Sequence, residues 1–289
     1  MTDHVKMLGA LVDALALEKI EENLFRGHNT GEGFTRLFGG QVIAQALVAA
    51  ARTVEAGRPP HSLHAYFMRE GDTAVPVVYQ VERDRDGKSF STRRVIAIQH
   101  GRPIFNMAAS FQVEEAGLEH QFDMPDVPGP EGLPSEVEWR ASFIDRVPET
   151  HRARFLQERP IDFRRVDSSV PGSTGPRPPC QYIWFKAQAP LPDDAAVHRS
   201  LLAYASDMTL LSTCQLPHAV TWWETRMQVA SLDHALWLHA PFRMDDWLLY
   251  AQDSPRTSGA RGINRGLIYS REGVLVATVA QEGLIRRRP

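Results

Sequence analysis

Apolar residues crowd the stretch FGGQVIAQALVAAARTV, residues 38–54, and leave no broad polar face. A helix apolar nearly all round belongs inside a protein. The period then changes. Through PVVYQVERDRDGKSFSTRRVIAIQHGRPIFNMAASFQV, residues 76–113, Arg94, Ile96 and Ile98 alternate with Val95, Ala97 and Gln99. Period two predicts strands, and the glycine in QHGRPIF predicts a hairpin turn between the last two. The same order recurs later. LLAYASDMTLLSTCQLPH, residues 201–218, reads as a second apolar, helix-like run. The segments from SLDHALWLHAPF to QEGLI read as strands, with Leu267 and Tyr269 alternating against Ile268 and Ser270 and a glycine turn in SREGVLV. Ahead of both, MTDHVKMLGALVDALALEKIEENLF predicts an amphipathic helix, then a first strand around EENLFRG.

Turn signals are densest in FDMPDVPGPEGLPS and VDSSVPGSTGPRPPC, and the stretch between them reads as short helices. The predicted organisation is a unit over 1–113, a Pro- and Gly-rich linker with short helices over 114–185, and a unit over 186–289. The two units look like copies. Gln41 stands opposite Asp207, His61 opposite Ser231 and Gly101 opposite Gly273, at offsets of 166, 170 and 172 residues. Loop-length changes between duplicated units produce such a drift. One long helix followed by a bent antiparallel sheet is the hotdog pattern, in which the sheet buries one face around the helix. The expected fold class is therefore α+β, a double hotdog.

Composition narrows the partners. The chain has 289 residues, 23% of them charged, and a net charge of −3. That balance offers no electrostatic attraction for nucleic acid or an anionic membrane. No apolar run approaches the roughly 18 residues of a spanning helix, so no membrane insertion is expected. The N-terminus lacks the unbroken apolar core of a signal peptide, and the terminal RRRP is not a peroxisomal address. Cys180 and Cys214 are too few and too far apart for a zinc site or a disulfide framework. A reduced, cytoplasmic setting is the expectation.

One acidic residue, Asp207, lies within the second apolar run. Burying a carboxylate is costly unless it is paired or has a task. Read alone, the SD pair could also cap a helix N-terminus.

The segments LFGGQVIAQAL, HSLHAYFMREGD, KSFSTRRVIAIQ, LLAYASDMTLL, SLDHALWLHAPF, WLLYAQDSP and ARGINRGLIYSREGVLVATVAQEGLIR resemble the acyl-CoA thioesterase II family of the TesB type, in order, over nearly the whole chain. The resemblance implies a double hotdog, hydrolysis of acyl-CoA to free acid and CoA, and neither a metal nor an organic cofactor. It also implies a catalytic set. The Asp of ASD is Asp207, the hydroxyl residue before LDH is Ser231, and the Gln of QEG is Gln281. Relatives often carry Thr at position 231; Ser keeps the hydroxyl and loses a methyl, which loosens its rotamer slightly.

A thioester carbonyl is open to direct attack by water. Asp207 is the candidate base or water-orienting carboxylate, Gln281 can donate to or accept from the water, and Ser231 can bridge by donating to the carboxylate and accepting from the water. A backbone N–H in FGGQ, at a helix start, is the candidate oxyanion donor. Gln41 cannot act as a base, so one active site per chain is expected.

Other motifs carry less. Ser231, Asp233 and His234 lie too close along a strand to assemble a triad, and His234 reads as an orienting residue. DGKS lacks the earlier glycine of a phosphate-binding loop. His61 and His64 are too isolated for a metal site. Met208, Trp222, Trp223 and Trp237 are candidates for an acyl tunnel or for core. Arg93, Arg94, Arg261 and Arg265 suit CoA phosphates or a solvated sheet face. Two competing functions are a hotdog acyl-CoA hydratase or dehydratase, which would need a His the YASD segment lacks, and a non-catalytic acyl-CoA binding or sensing protein. Hotdog sheets leave edges that commonly pair with another copy, so a homodimer or a dimer of dimers is expected.

Overall fold

A computed structural model describes residues 3–29, 36–171, 175–221 and 227–288. The first part runs α1 (Asp3–Leu15), β1 (Glu18–Glu21), β2 (Leu24–Gly27), α2 (Gly39–Ala51), β3 (Pro60–Phe67), β4 (Val77–Asp86), β5 (Phe90–Gln99) and β6 (Arg102–Gln112). Then come α3 (Glu136–Ala141), α4 (Glu149–Phe155), β7 (Ile161–Arg165), β8 (Cys180–Ala187) and α5 (Ala195–Ser206). The chain closes with β9 (Met227–Ser231), β10 (Asp233–Leu238), β11 (Leu248–Ser258), β12 (Arg261–Ser270) and β13 (Leu275–Arg287).

The strands form one sheet in the order β1-β2-β4-β5-β6-β3-β10-β13-β12-β11-β8-β7, with β9 also on β13. The pairing is antiparallel throughout. Around the β3–β10 seam the order is a repeat: β3, β6, β5, β4 on one side answer β10, β13, β12, β11 on the other. Leu63 pairs with Leu236 at that seam. The predicted hairpins close at Gly101 and Gly273, with φ of +69° and +88°. Only glycine holds such angles without strain.

Each half wraps its sheet around helix, as a double hotdog requires. In α2 ten residues are buried, Gly40 to Ala50 with a break only at Val48, as its all-round apolar sequence demands. It packs on β3 to β6 and on α5. The helix α1 buries only Leu8, Leu11, Ala14 and Leu15, an amphipathic stripe. Along β5 the buried residues are Ser91, Arg93, Val95, Ala97 and Gln99, the predicted period of two.

Three local features differ from the sequence pattern. The second apolar run is not one helix. Asp194 caps the N-terminus of α5, its carboxylate accepting from the Ala196 N–H. Asp207 stands at the opposite end as C-cap, and a 3-10 stretch, Leu210–His218, follows. Asp207 therefore does not cap a helix N-terminus. Strand β7 lies inside the 114–185 segment, β8 begins there and ends at Ala187, and both extend the sheet beyond β11. Finally, β12 buries both Ile268 and Tyr269, so its alternation lapses. Met124, Val127 and Leu133 pack over Tyr269, Leu249 and Trp184 on the outer face. The Trp184 Nε1–H donates to the Pro128 carbonyl, and Gln121 bonds both Gly273 O and Leu275 N. The Pro-rich segment is thus a strap across the second half of the sheet.

Candidate active site

Four elements meet at Asp207: the end of α5, the start of α2, β9 and β13. The meeting is close because of two glycines. A Cβ on Gly40 would lie 2.3 Å from the Tyr204 carbonyl oxygen, and one on Gly39 would lie 2.6 Å from Asp207 Oδ2. Without those side chains the N-terminus of α2 sits directly on the C-terminus of α5. A carboxylate at a helix C-terminus is electrostatically disfavoured, whereas one at an N-terminus is favoured. The start of α2 offsets the end of α5, and the Gly40 N–H donates to Asp207.

The structure brings Asp207, Ser231 and Gln281 together. Gln281 Nε2 donates to Asp207 Oδ1 at 2.7 Å and to Ser231 Oγ at 2.6 Å. Ser231 Oγ donates to the same Oδ1 at 3.1 Å. Oδ1 is therefore saturated, while Oδ2 is turned toward Gly39. Gln281 is fully buried and Asp207 is 9% exposed. Burial dominates and pushes the Asp207 carboxyl up to about 6, against the pull of Gln281, Ser231 and Gly40.

Further hydrogen bonds hold this set. The Gln281 Oε1 faces His234 Nδ1 at 3.3 Å, and His234 Nε2 lies 2.9 Å from Ser206 Oγ. His234 is 1% exposed, and burial depresses it to about 4, so the ring is neutral. The Tyr250 hydroxyl donates to the Ser206 carbonyl, satisfying the end of α5. Asp233 points elsewhere, accepting from the Glu282 N–H. Sequence reasoning brought the FGGQ segment to the site, and the Gly40 N–H of that segment donates to the Asp207 carboxylate. Ser206 and Tyr250 were not singled out, because nothing in their local pattern distinguishes them from core.

Gln41 lies elsewhere. Its amide donates to His28 O and Asn29 Oδ1, and it is 3% exposed. It anchors the chain ahead of α2. Trp237 is half-buried, its ring edge-on to His64 at 5.1 Å. Trp222 and Trp223 lie outside the described residues. Met208 borders a cavity of about 1060 Å³, with Phe38, Tyr204, Leu11, Ala14 and Ile161 among its lining. Phe38 and Tyr204 meet edge-to-face at 5.0 Å.

The four arginines are all occupied. Arg93 is 1% exposed and bonds Thr53, Arg85 O, Thr92 O and Asp86, which removes it from CoA binding. On the exposed face Arg94 pairs with Glu82 and Asp84, Arg261 with Glu282, and Arg265 with Asp253. His61 bonds Ser110 Oγ.

Comparison with known proteins shows the family. The acyl-CoA thioesterase family matches residues 150–284, and the acyl-CoA thioesterase N-terminal domain matches residues 29–112. The chain is 41% identical to acyl-CoA thioesterase 2 of Haemophilus influenzae over 97% of this chain and 98% of that protein. It is similar to the crystal structure of the acyl-CoA thioesterase II TesB2 of Mycobacterium marinum, with a TM-score of 0.79 and 43% identity over 96% of this chain and 98% of that one. A hot dog fold protein of unknown function from Alicyclobacillus acidocaldarius matches with a TM-score of 0.77 at 22% identity, over 97% and 99% of the two chains. That last likeness concerns the fold alone.

Proposed function

The chain belongs to the acyl-CoA thioesterase family, and from that premise we propose that it hydrolyses fatty acyl-CoA to free fatty acid and CoA with Asp207 as general base, Ser231 and Gln281 as its partners, and water as the nucleophile. The observation that carries the reading is the carboxylate itself. It is buried, held by Ser231 and Gln281 on Oδ1 and by the Gly40 N–H, and raised to about 6. A group with that value is ionised at neutral pH yet basic enough to take a proton in the transition state.

Ser231 and Gln281 both donate to Oδ1, and Oδ2 is the oxygen assigned to receive the proton. Water lodged against Oδ2 and the Gly39 edge gives its proton to the carboxylate as its oxygen attacks the thioester carbon. Collapse of the tetrahedral adduct then breaks the C–S bond and releases CoA as thiolate. Gln281 spends both N–H groups on Asp207 and Ser231, so its part is to hold the base rather than the water. Ser231 accepts from Gln281 and donates to Asp207, which leaves one lone pair of its oxygen for the water.

The acyl chain is assigned to the cavity beside Met208, behind the Phe38–Tyr204 pair, whose size suits an apolar ligand. Cytoplasmic residence and a homodimer or dimer of dimers complete the proposal. The exposed strand β1, at one end of the sheet, offers an edge for self-association.

Release of free CoA thiol from a panel of acyl-CoAs tests the reading. Wild type turns over, and Asp207→Ala of equal fold stability loses about a hundredfold or more, the size expected for a positioned base. Equal activity of the two proteins places the chemistry elsewhere. Saturable binding without turnover by either makes the chain a binding protein.

A further inference from the structure

The amide of Gln281 has two orientations that differ only in which end meets Asp207. With Nε2 inward it donates to Asp207 Oδ1 and Ser231 Oγ. Turned over, its Oε1 would face the carboxylate, two acceptors in contact with no proton between them. That contact is repulsive and worsens in a buried site. Something must hold the productive orientation, and among the described residues the hydrogen-bond partner of Oε1 is His234 Nδ1 at 3.3 Å.

That contact fixes the state of the histidine. Oε1 can only accept, so Nδ1 carries the proton. The ring is neutral, so Nε2 is an acceptor and takes the Ser206 hydroxyl at 2.9 Å. Ser206 also lies 3.0 Å from Ala203 O, the alternative acceptor for the same proton. Giving the proton to Ala203 would leave the buried Nε2 unpaired. One arrangement satisfies every buried atom: Ser206 Oγ–H to His234 Nε2, His234 Nδ1–H to Gln281 Oε1, and Gln281 N–H groups to Asp207 and Ser231.

We propose that His234, as the neutral Nδ1–H tautomer, is a positioning residue that locks the Gln281 amide and so keeps the Asp207 carboxylate aligned for proton abstraction. His234 touches neither water nor substrate. This inference rests on the reading of Asp207 as the base. Among the described residues, the ionisable groups that face Asp207 are Tyr250 from β11 and, through Gln281, His234 from β10. From α2 it meets Gly39 and Gly40, and from β9 Ser231.

Two variants and one spectrum test it. His234→Leu removes the donor at similar bulk. Gln281 is then free to turn, Asp207 loses a donor to its charged form, and its proton is held more tightly. The expected result is a kcat lower by about tenfold or more, an acid limb of the kcat/KM profile moved to higher pH, and KM little changed. His234→Asn places an amide N–H where Nδ1–H stood and restores most of the rate and the wild-type limb. A folded His234→Leu with wild-type kcat and limb overturns the proposal. So does an Asn variant as impaired as Leu, since ring packing would then be what matters. If the Leu variant does not fold, the imidazole nitrogen NMR spectrum of the wild-type protein decides. Protonation at Nδ1 supports the lock, and protonation at Nε2 overturns it. A wild type inactive on every acyl-CoA would instead sink the thioesterase reading, and the spectrum would still report on the hydrogen bonds.

Discussion

Asp207 is held near pH 6 by opposing influences, burial raising it and three donors lowering it. Its folded value lies above the 3.8 of a free carboxyl. The ionised form is therefore less favoured in the native chain than in the unfolded one. That cost is absent below about pH 3.8, grows as pH rises, and is complete above about pH 6. Two results follow at this scale. With Asp207 as the proposed base, kcat/KM is expected to fall about tenfold per pH unit below about pH 6 as its carboxylate is protonated. Asp207→Asn removes the charge, so it raises the thermal midpoint at pH 8 by the equivalent of roughly 1–3 kcal/mol while activity collapses. That gain shrinks toward zero as pH falls to about 4. Melting curves of both proteins across this range check the sign, and a gain that grew on acidification would contradict the burial argument.

At the scale of elements, the site exists because α2 and α5 touch end to end. Gly40→Ala would push a methyl into the Tyr204 carbonyl, a backbone atom that cannot swing away. The expected cost is about 1–3 kcal/mol of stability, with activity lost beyond that because the Gly40 N–H leaves Asp207. Denaturant unfolding and thiol release measure the two separately. Much of this scale was legible in advance. The all-round apolar α2, the alternation along β5 and the hairpins at Gly101 and Gly273 follow from residue type and period alone. The end of α5 did not. Leu201 to His218 stays apolar and helix-compatible throughout, and only packing against α2 shows that the α-helix stops at Ser206. The buried Tyr269 was equally hidden, since its cover comes from Met124 to Leu133, more than a hundred residues earlier. The trio Asp207, Ser231 and Gln281 was reached through family likeness. Each residue alone is ordinary, and their convergence on one oxygen is a tertiary fact.

Across the whole molecule, the cavity beside Met208 reaches α1, an element remote from the carboxylate in sequence. Ala10 lines it from an exposed position of that helix, so Ala10→Trp adds bulk at the cavity without disturbing core. Hydrolysis of long-chain acyl-CoA should fall several-fold relative to short-chain, with short-chain kcat unchanged; an unaltered chain-length profile would place the acyl chain elsewhere. The β3–β10 seam has a different consequence. Asp207, Ser231 and Gln281 come from one side of it and Gly39 and Gly40 from the other, so neither half owns a complete site. Joined in one polypeptide, the halves meet at an effective concentration set by the tether rather than by expression level. Severed, they would have to find each other by diffusion, and the rate per chain would become a function of dilution. The covalent link also fixes the stoichiometry at one to one. Each half is thereby free to specialise, one keeping the carboxylate and the other only the helix end that receives it.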